Sequence, residues 1–148
     1  MSLFTYIASP GELQGHLHNN FFFSIKNVLN WYPEFDSQRC FENKFIYTLD
    51  SRLDYCPHTK RDEIEAEEHL EWSRNLRDIS LYNRASLEFL IRHSLCAGEF
   101  LEIYSIFWGW GSPEELPPPE HILVLHINEL RKSRNFVLDD GYKFIIHR

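Results

Sequence analysis

The sequence predicts an α+β domain with a mainly antiparallel sheet of about four to five strands, helices packed on one face, and a C-terminal β-hairpin. The run Glu99–Trp110 is long, nearly unbroken in its apolar and aromatic character, and rich in residues that favour a pleated, half-buried surface. Helical patterns fall in the middle of the chain, and Asp140-Gly141 lies between two apolar runs, as a hairpin turn does. The 148 residues fit one domain, residues 1–148.

The N-terminal part of the chain predicts one strand and two short helices. Leu3–Ile7 is apolar enough for a first strand, and Ser9–His18 begins with the serine, proline and glutamate of a helix start. A second helix is predicted between Asn20 and Pro33 from apolar residues at nearly 3.6-residue spacing. These residues are Phe22, Ile25, Val28, Leu29 and Tyr32. The run Phe21–Phe23 alone also fits a strand, so this boundary stays open.

Residues Cys40–Leu49 alternate as a strand does, and two helices are predicted after them. Thr59 is placed to cap a helix that runs to about Ile79. The next helix begins near Asn83, buries one apolar face and ends at Gly98. Its predicted core residues are Leu87, Leu90, Ile91 and Leu95.

The last third of the chain predicts the strands around which the domain is organised. Glu99–Trp110 is the predicted central strand, and the prolines of Gly111–Pro119 predict a stiff, extended loop. His121–Asn128 has apolar residues on both faces, which predicts a strand covered on both sides. Phe136–Asp139 and Tyr142–His147 are the predicted arms of the hairpin.

Charge and cysteine content narrow the functional classes. The formal net charge is −7 and the pI about 5.6, so the surface repels phosphate backbones and general nucleic-acid binding is disfavoured. Cys40, Cys56 and Cys96 are odd in number and widely spaced, which favours reduced thiols in a cytosol. No signal-peptide pattern or apolar run of about 20 residues occurs, so a cytoplasmic protein without a membrane span is expected.

The sequence contains no established motif for chemistry. It has no glycine-rich phosphate loop and no Gly-x-Ser-x-Gly elbow. His16 and His18 would point apart on a helix, and His121 and His126 have opposite parity along a strand, so no pair converges on a metal. No cofactor, metal or catalytic residue is therefore expected.

The least ordinary feature is a dense run of carboxylates on the helix predicted after Thr59. Glu63, Glu67 and Glu71 are four residues apart, where like charges destabilise a helix by about 0.2–0.5 kcal/mol per pair. A solvated face is the ordinary interpretation, and a docking surface for a basic partner is the functional one. The candidate partner-binding residues are Asp62, Glu63, Glu67, Glu68, Glu71 and Trp72.

In size and charge the chain resembles the immunity proteins that neutralise nuclease toxins in the cytoplasm. The resemblance implies a non-catalytic protein whose carboxylates occlude the basic site of a protein partner, aided by electrostatic steering. The alternative is an enzyme or small-ligand binder with an aromatic-lined pocket between sheet and helices, into which His126, Tyr104 or Glu102 would point. A third, weaker interpretation is an oligomeric structural protein, which an exposed patch of Phe107, Trp108 and Trp110 would support.

Overall fold

The computed structural model describes residues 2–13, 23–27, 40–51, 85–108, 116–133 and 135–148. Within these ranges the chain forms one sheet, a helix over residues 85–94 (α1) and a 3-10 turn at Ile127–Glu129. The strands are β1 (Ser2–Ser9), β2 (Phe23–Asn27), β3 (Phe45–Ser51), β4 (Phe100–Trp108), β5 (His121–His126) and β6 (Tyr142–His147). None of the described helical residues form a segment long and apolar enough to cross a membrane.

The sheet is mixed, with the strand order β2-β3-β1-β4-β6-β5. Only β5 and β6 pair in parallel, and the other neighbours are antiparallel. The predicted central strand is confirmed, because β4 lies between β1 and β6. The register places Tyr6 opposite Tyr104 and Tyr104 opposite Lys143, so these side chains share one face of the sheet.

One face of the sheet carries the larger core and packs against α1; we call it the helix face. Ile7, Ile103 and Phe144 lie side by side across β1, β4 and β6 and are fully buried. The four α1 residues that were predicted to be core are all buried in the same cluster. The prediction that this helix buries one apolar face is therefore confirmed. They are Leu87, Leu90, Ile91 and Leu95.

The opposite face of the sheet is covered by the loop of residues 40–44, and we call it the loop face. Its smaller core joins strand residues such as Tyr6 and Tyr104 to Phe41 of the loop and to Leu116. The aromatic rings of Tyr6 and Tyr104 lie 6.4 and 6.2 Å from that of Phe41, centroid to centroid. Aromatic packing therefore holds the loop against the sheet.

Three N-terminal predictions need correction. Phe23–Asn27 is strand β2 and not part of a helix, because its backbone pairs with β3, and this pairing overrides the helical spacing of the apolar residues. This strand brings the sheet to six, beyond the four to five that we predicted. Residues 10–13 are irregular, whereas a helix start was predicted there, and the strand predicted from Cys40 begins only at Phe45.

The predicted C-terminal hairpin is wrong, although its turn is real. Gly141 has φ 75°, and the N–H of Tyr142 donates to the carbonyl of Asp139 at 3.2 Å. Residues 136–138 are not a strand, and β6 instead pairs with β4 and β5. Phe136, Val137 and Leu138 are all fully buried, so the segment enters the core where we expected it to extend the sheet.

Several predictions fall on other parts of the chain. The helix predicted over Thr59–Ile79 lies outside the described residues, as do most of the helices predicted over Ser9–His18 and between Asn20 and Pro33. Of the predicted proline loop, the structure describes residues 116–119, which have no regular secondary structure.

Candidate functional site

The partner-binding residues predicted from the sequence lie outside the described residues. They are Asp62, Glu63, Glu67, Glu68, Glu71 and Trp72. The side chains of Phe107, Trp108 and Trp110, on which the oligomer interpretation depends, also lie outside them. The structure does describe Glu102, Tyr104 and His126, the polar residues on which the pocket interpretation depends.

The Glu102 carboxylate is the most deeply buried charge in the described part of the chain. Glu102 lies on β4 and points to the loop face, where its exposed fraction is 0%. Its oxygens accept the backbone N–H of Glu42 at 3.1 Å and that of Asn43 at 2.9 Å. Two successive backbone N–H groups aimed at one anion form a small binding concavity, which compensates for part of the lost hydration.

Lys143 supplies the opposite charge to Glu102. Its Nζ lies 2.7 Å from Oε1 of Glu102, and the exposed fraction of the Lys143 residue is only 7%. The same Nζ donates to the carbonyl of Cys40 at 2.8 Å and lies 5.7 Å from the ring centroid of Phe41. Since buried charges are tolerated when paired and hydrogen-bonded, this ion pair fastens the loop of residues 40–44 to the sheet.

Further hydrogen bonds close the loop over the ion pair. Nδ2 of Asn43 donates to the carbonyl of Phe100 at 3.0 Å and to that of Ala8 at 3.4 Å. The Cys40 thiol contacts the carbonyls of Leu116 and Pro117 at 3.7 and 3.6 Å. The donors and acceptors around Glu102 are therefore used within the protein, and the carboxylate has no exposed surface with which to reach a substrate.

Tyr104 has a structural hydrogen bond of the same kind. Its hydroxyl donates to the carbonyl of Pro117 at 2.8 Å, which ties the described end of the proline loop to β4. Burial is the main cause that raises the pKa of Tyr104 well above its ordinary value, and the nearby Cys40 thiol raises it further. The phenol stays neutral, and its only proton is donated to a backbone carbonyl.

This raised pKa predicts a loss of stability in alkali. Because the folded-state pKa of Tyr104 lies above the unfolded value of about 10, the neutral phenol stabilises the fold below that pH. The contribution is lost as the pH rises through the folded pKa, at up to about 1.4 kcal/mol per pH unit. We expect the free energy of unfolding, measured by urea denaturation above pH 10, to fall less steeply in Tyr104→Phe. An unchanged slope would contradict this assignment.

His126 is the third residue of the pocket interpretation, and it caps the 3-10 turn. Its Nδ1 accepts the N–H of Asn128 at 3.1 Å, while the His126 N–H donates to Oε2 of Glu129 at 2.7 Å. The ring meets that of His147 edge-on, with centroids 5.2 Å apart. Among the described residues, no group of three or more His, Cys, Asp or Glu side chains is arranged to hold a metal ion.

Strand β5 differs from its prediction and provides the most exposed apolar surface of the described sheet. It was predicted to be covered on both faces, but it is one of the two edge strands of the described sheet, and Ile122 and Val124 are 56% and 62% exposed on the loop face. Leu125 points to the helix face and is buried in its core. The prediction failed because β5 is the last strand in the sheet order, where its loop-face side chains are left exposed.

Sequence reasoning singled out Glu102 but missed Lys143, which is its partner. A signal was present, because Lys143 is the only charged residue in the apolar run from Tyr142 to Ile146. A lone charge at such a position on a predicted strand indicates a buried partner, and Glu102 is a similar lone charge between Leu101 and Ile103. Only the strand register shows that the two meet, since Glu102 and Lys143 lie diagonally across β4 and β6.

Comparisons of the chain with models of protein families, with curated proteins and with solved structures found no match.

Proposed function

We propose that this protein is a non-catalytic acidic binding protein that neutralises a basic protein partner, in the manner of an immunity or antitoxin protein acting on a nuclease-like toxin. The observation that carries the proposal is that the polar side chains of the strands form their hydrogen bonds and ion pair within the protein. Glu102 is saturated by backbone N–H groups and Lys143, Tyr104 donates to Pro117, and His126 caps a turn. An enzyme site requires such groups to face a substrate, so their engagement within the fold favours binding over catalysis.

Charge supports a basic partner. The chain has 22 acidic and 15 basic residues, and its net charge of −7 attracts cationic proteins and speeds their association. Within the described residues, Glu12, Glu42 and Glu120 are exposed, and none of the ion pairs there includes them. In contrast, Glu88 is bridged by Arg92 and Arg131, which fastens α1 to the residues after the 3-10 turn.

The proposed contact surface is the acidic helix predicted over residues 59–79. In this proposal Asp62, Glu63, Glu67, Glu68 and Glu71 contact the partner. These carboxylates replace the phosphates that a nuclease binds, and Trp72 supplies an aromatic anchor among them. The protein acts in the cytoplasm, where it blocks the partner's basic site by occupying it.

The test compares two charge reversals with the same net charge. The variant Glu67→Lys/Glu71→Lys changes the proposed surface, while Glu12→Lys/Glu42→Lys changes two exposed carboxylates elsewhere. Affinity capture from the native lysate at low and high salt identifies a basic partner, and titration calorimetry then gives its affinity for each variant. We expect a salt-sensitive complex that the first variant weakens by about one to five orders of magnitude, since close charge pairs contribute about 1.5–7 kcal/mol at interfaces.

The control variant separates local contacts from overall charge. Glu12→Lys/Glu42→Lys is expected to slow association slightly and to leave the dissociation rate unchanged, because only long-range steering is reduced. Equal losses in both variants would contradict the proposed surface and leave charge alone as the cause. A partner that binds equally at low and high salt, or turnover of a small molecule by the purified chain, would contradict the proposed function.

A further inference from the structure

Within the described sheet, strand β5 has one hydrogen-bonding edge that no other described strand occupies. Among the described strands it pairs only with β6, and the N–H of His121 donates to the carbonyl of Gly141 on that side. Alternate residues of a strand direct their backbone groups to opposite sides, so the odd-numbered residues of β5 bond β6 and the even-numbered ones face outward. The outward-facing residues of the strand are Ile122, Val124 and His126.

Both ends of this edge are closed by the chain itself. At the start, the N–H of Glu120 is turned inward to the carbonyl of Gly141 at 2.9 Å. At the end, the outward N–H of His126 is capped by the Glu129 carboxylate at 2.7 Å. What remains for an added strand is the N–H and C=O pair of Ile122 and that of Val124; we call these four groups the β5 edge.

The side chains at the β5 edge are also unprotected. Ile122 and Val124 are 56% and 62% exposed, and both lie on the loop face, beside the half-buried Ile145 of β6. Edge strands of natural monomers usually carry lysine, proline or a bulge that prevents further pairing. Residues 121–126 contain no lysine and no proline, and their only titratable side chains are the histidines at the two ends.

We propose that a second copy of this chain pairs with the β5 edge in antiparallel orientation, about a two-fold axis at Leu123. In this register Ile122 lies opposite Val124 of the second copy, and Val124 opposite Ile122. Both are hydrogen-bonded pairs, so the two donors and two acceptors of each copy are satisfied, and Leu123 meets its equivalent in a non-hydrogen-bonded pair. The four exposed β-branched side chains become two cross-strand pairs on one continuous loop face.

Charge permits this contact despite the net charge of −7. Residues 122–125 contain no acidic or basic residue, so no like charges meet near the axis.

The length of the edge favours a second copy over a foreign strand. Each end is closed, so the β5 edge matches a strand that also offers two outward residues and then ends, as β5 does. A longer foreign strand would meet the Glu129 side chain that caps His126. This inference goes beyond the proposed function, and it does not depend on the existence of a basic partner.

Sedimentation equilibrium of the full chain, from micromolar to millimolar concentration, tests the dimer. We expect a monomer–dimer equilibrium in the wild type and a monomer throughout this range for Ile122→Lys/Val124→Lys. The matched control is Phe89→Lys, which places a lysine at a 53% exposed aromatic residue on α1 and is expected to leave the equilibrium unchanged. A wild-type monomer at every concentration, or a dimer that survives the double substitution, would overturn the proposal.

Disulfide trapping tests the register and stays informative if the lysine variant fails to fold. In a Cys56→Ser/Cys96→Ser background, which leaves the buried Cys40 as the one native thiol, Leu123→Cys is expected to give a covalent dimer on mild oxidation. Non-hydrogen-bonded pairs have Cα atoms about 4.5 Å apart, within the range of a disulfide. Val124→Cys alone is expected to form no disulfide-linked dimer, whereas a mixture of Ile122→Cys and Val124→Cys chains is expected to cross-link. Efficient self-cross-linking of Val124→Cys would overturn this register.

Discussion

Lys143→Met is expected to lower the free energy of unfolding by about 3–5 kcal/mol, because it leaves the Glu102 carboxylate buried without its countercharge. Glu102 has no exposed surface on which to recover hydration, and its remaining partners are the backbone N–H groups of Glu42 and Asn43. The carbonyl of Cys40 also loses the hydrogen bond that it accepts from Nζ of Lys143. Urea denaturation monitored by tryptophan fluorescence measures the change.

A second readout locates this effect on the loop face. Cys40 is the first residue of the loop that Lys143 holds, and its thiol is buried, so its rate of reaction with a thiol reagent should rise in Lys143→Met. The matched control is Lys44→Met, which removes an exposed lysine at the end of the same loop and is expected to stay within about 0.5 kcal/mol of the wild type. A cost below about 1 kcal/mol for Lys143→Met would show that the pair is not buried as described.

The double variant Glu102→Gln/Lys143→Met separates the ion pair from its surroundings. With both charges removed, no uncompensated charge is buried, and the amide oxygen of glutamine still accepts from the loop N–H groups. We expect the double variant to be more stable than Lys143→Met alone, since neutral replacements of buried pairs cost less than breaking them. The double-mutant cycle gives the coupling energy directly.

Phe136→Ala is expected to destabilise the protein by about 3–5 kcal/mol, the range for removing a buried aromatic side chain. Phe136 is fully buried, and its ring meets that of Phe144 on β6 edge-on, with centroids 5.0 Å apart. It belongs to the irregular segment of residues 136–138, so the size of the effect tests whether this segment is part of the core. Thermal and urea unfolding both report it.

The control for this substitution is Phe89→Ala, which removes the same side chain from a 53% exposed position on α1. The ring of Phe89 contacts only the exposed His93 among the described aromatic pairs, so a change of less than about 1 kcal/mol is expected. If Phe136→Ala cost no more than Phe89→Ala, the segment would be peripheral. The hairpin prediction, which placed Phe136 in a strand at the sheet, would then need to be reconsidered.

The elements predicted correctly are those whose pattern is set by local neighbours. The spacing of Leu87, Leu90, Ile91 and Leu95 is helical, and the same four residues are buried on one side of α1. The apolar run that forms β4 was identified because its length and β-branched and aromatic content suit a buried strand. Both interpretations needed only the residues of the element itself.

The elements predicted incorrectly depend on what lies next to them in the fold. The apolar run of residues 136–138 is compatible with a hairpin arm and with an irregular segment in the core. Periodicity along three residues does not distinguish these two structures. Apolar residues on both faces of His121–His126 predicted a covered strand, yet its position at the edge leaves Ile122 and Val124 exposed. The prediction of the candidate site had the same limit. Glu102 was identified from its own strand, but its partner Lys143 was missed because it lies on another strand.

The sequence by itself determined the α+β type of the fold, the central strand, the helix over residues 85–94 and the acidic balance, because composition and spacing along one element record them. The tertiary structure alone decided the parallel pairing of β5, the burial of residues 136–138 and the ion pair between Glu102 and Lys143. These features join residues far apart in the chain, and their energies depend on register and on exclusion of water, which no local pattern contains.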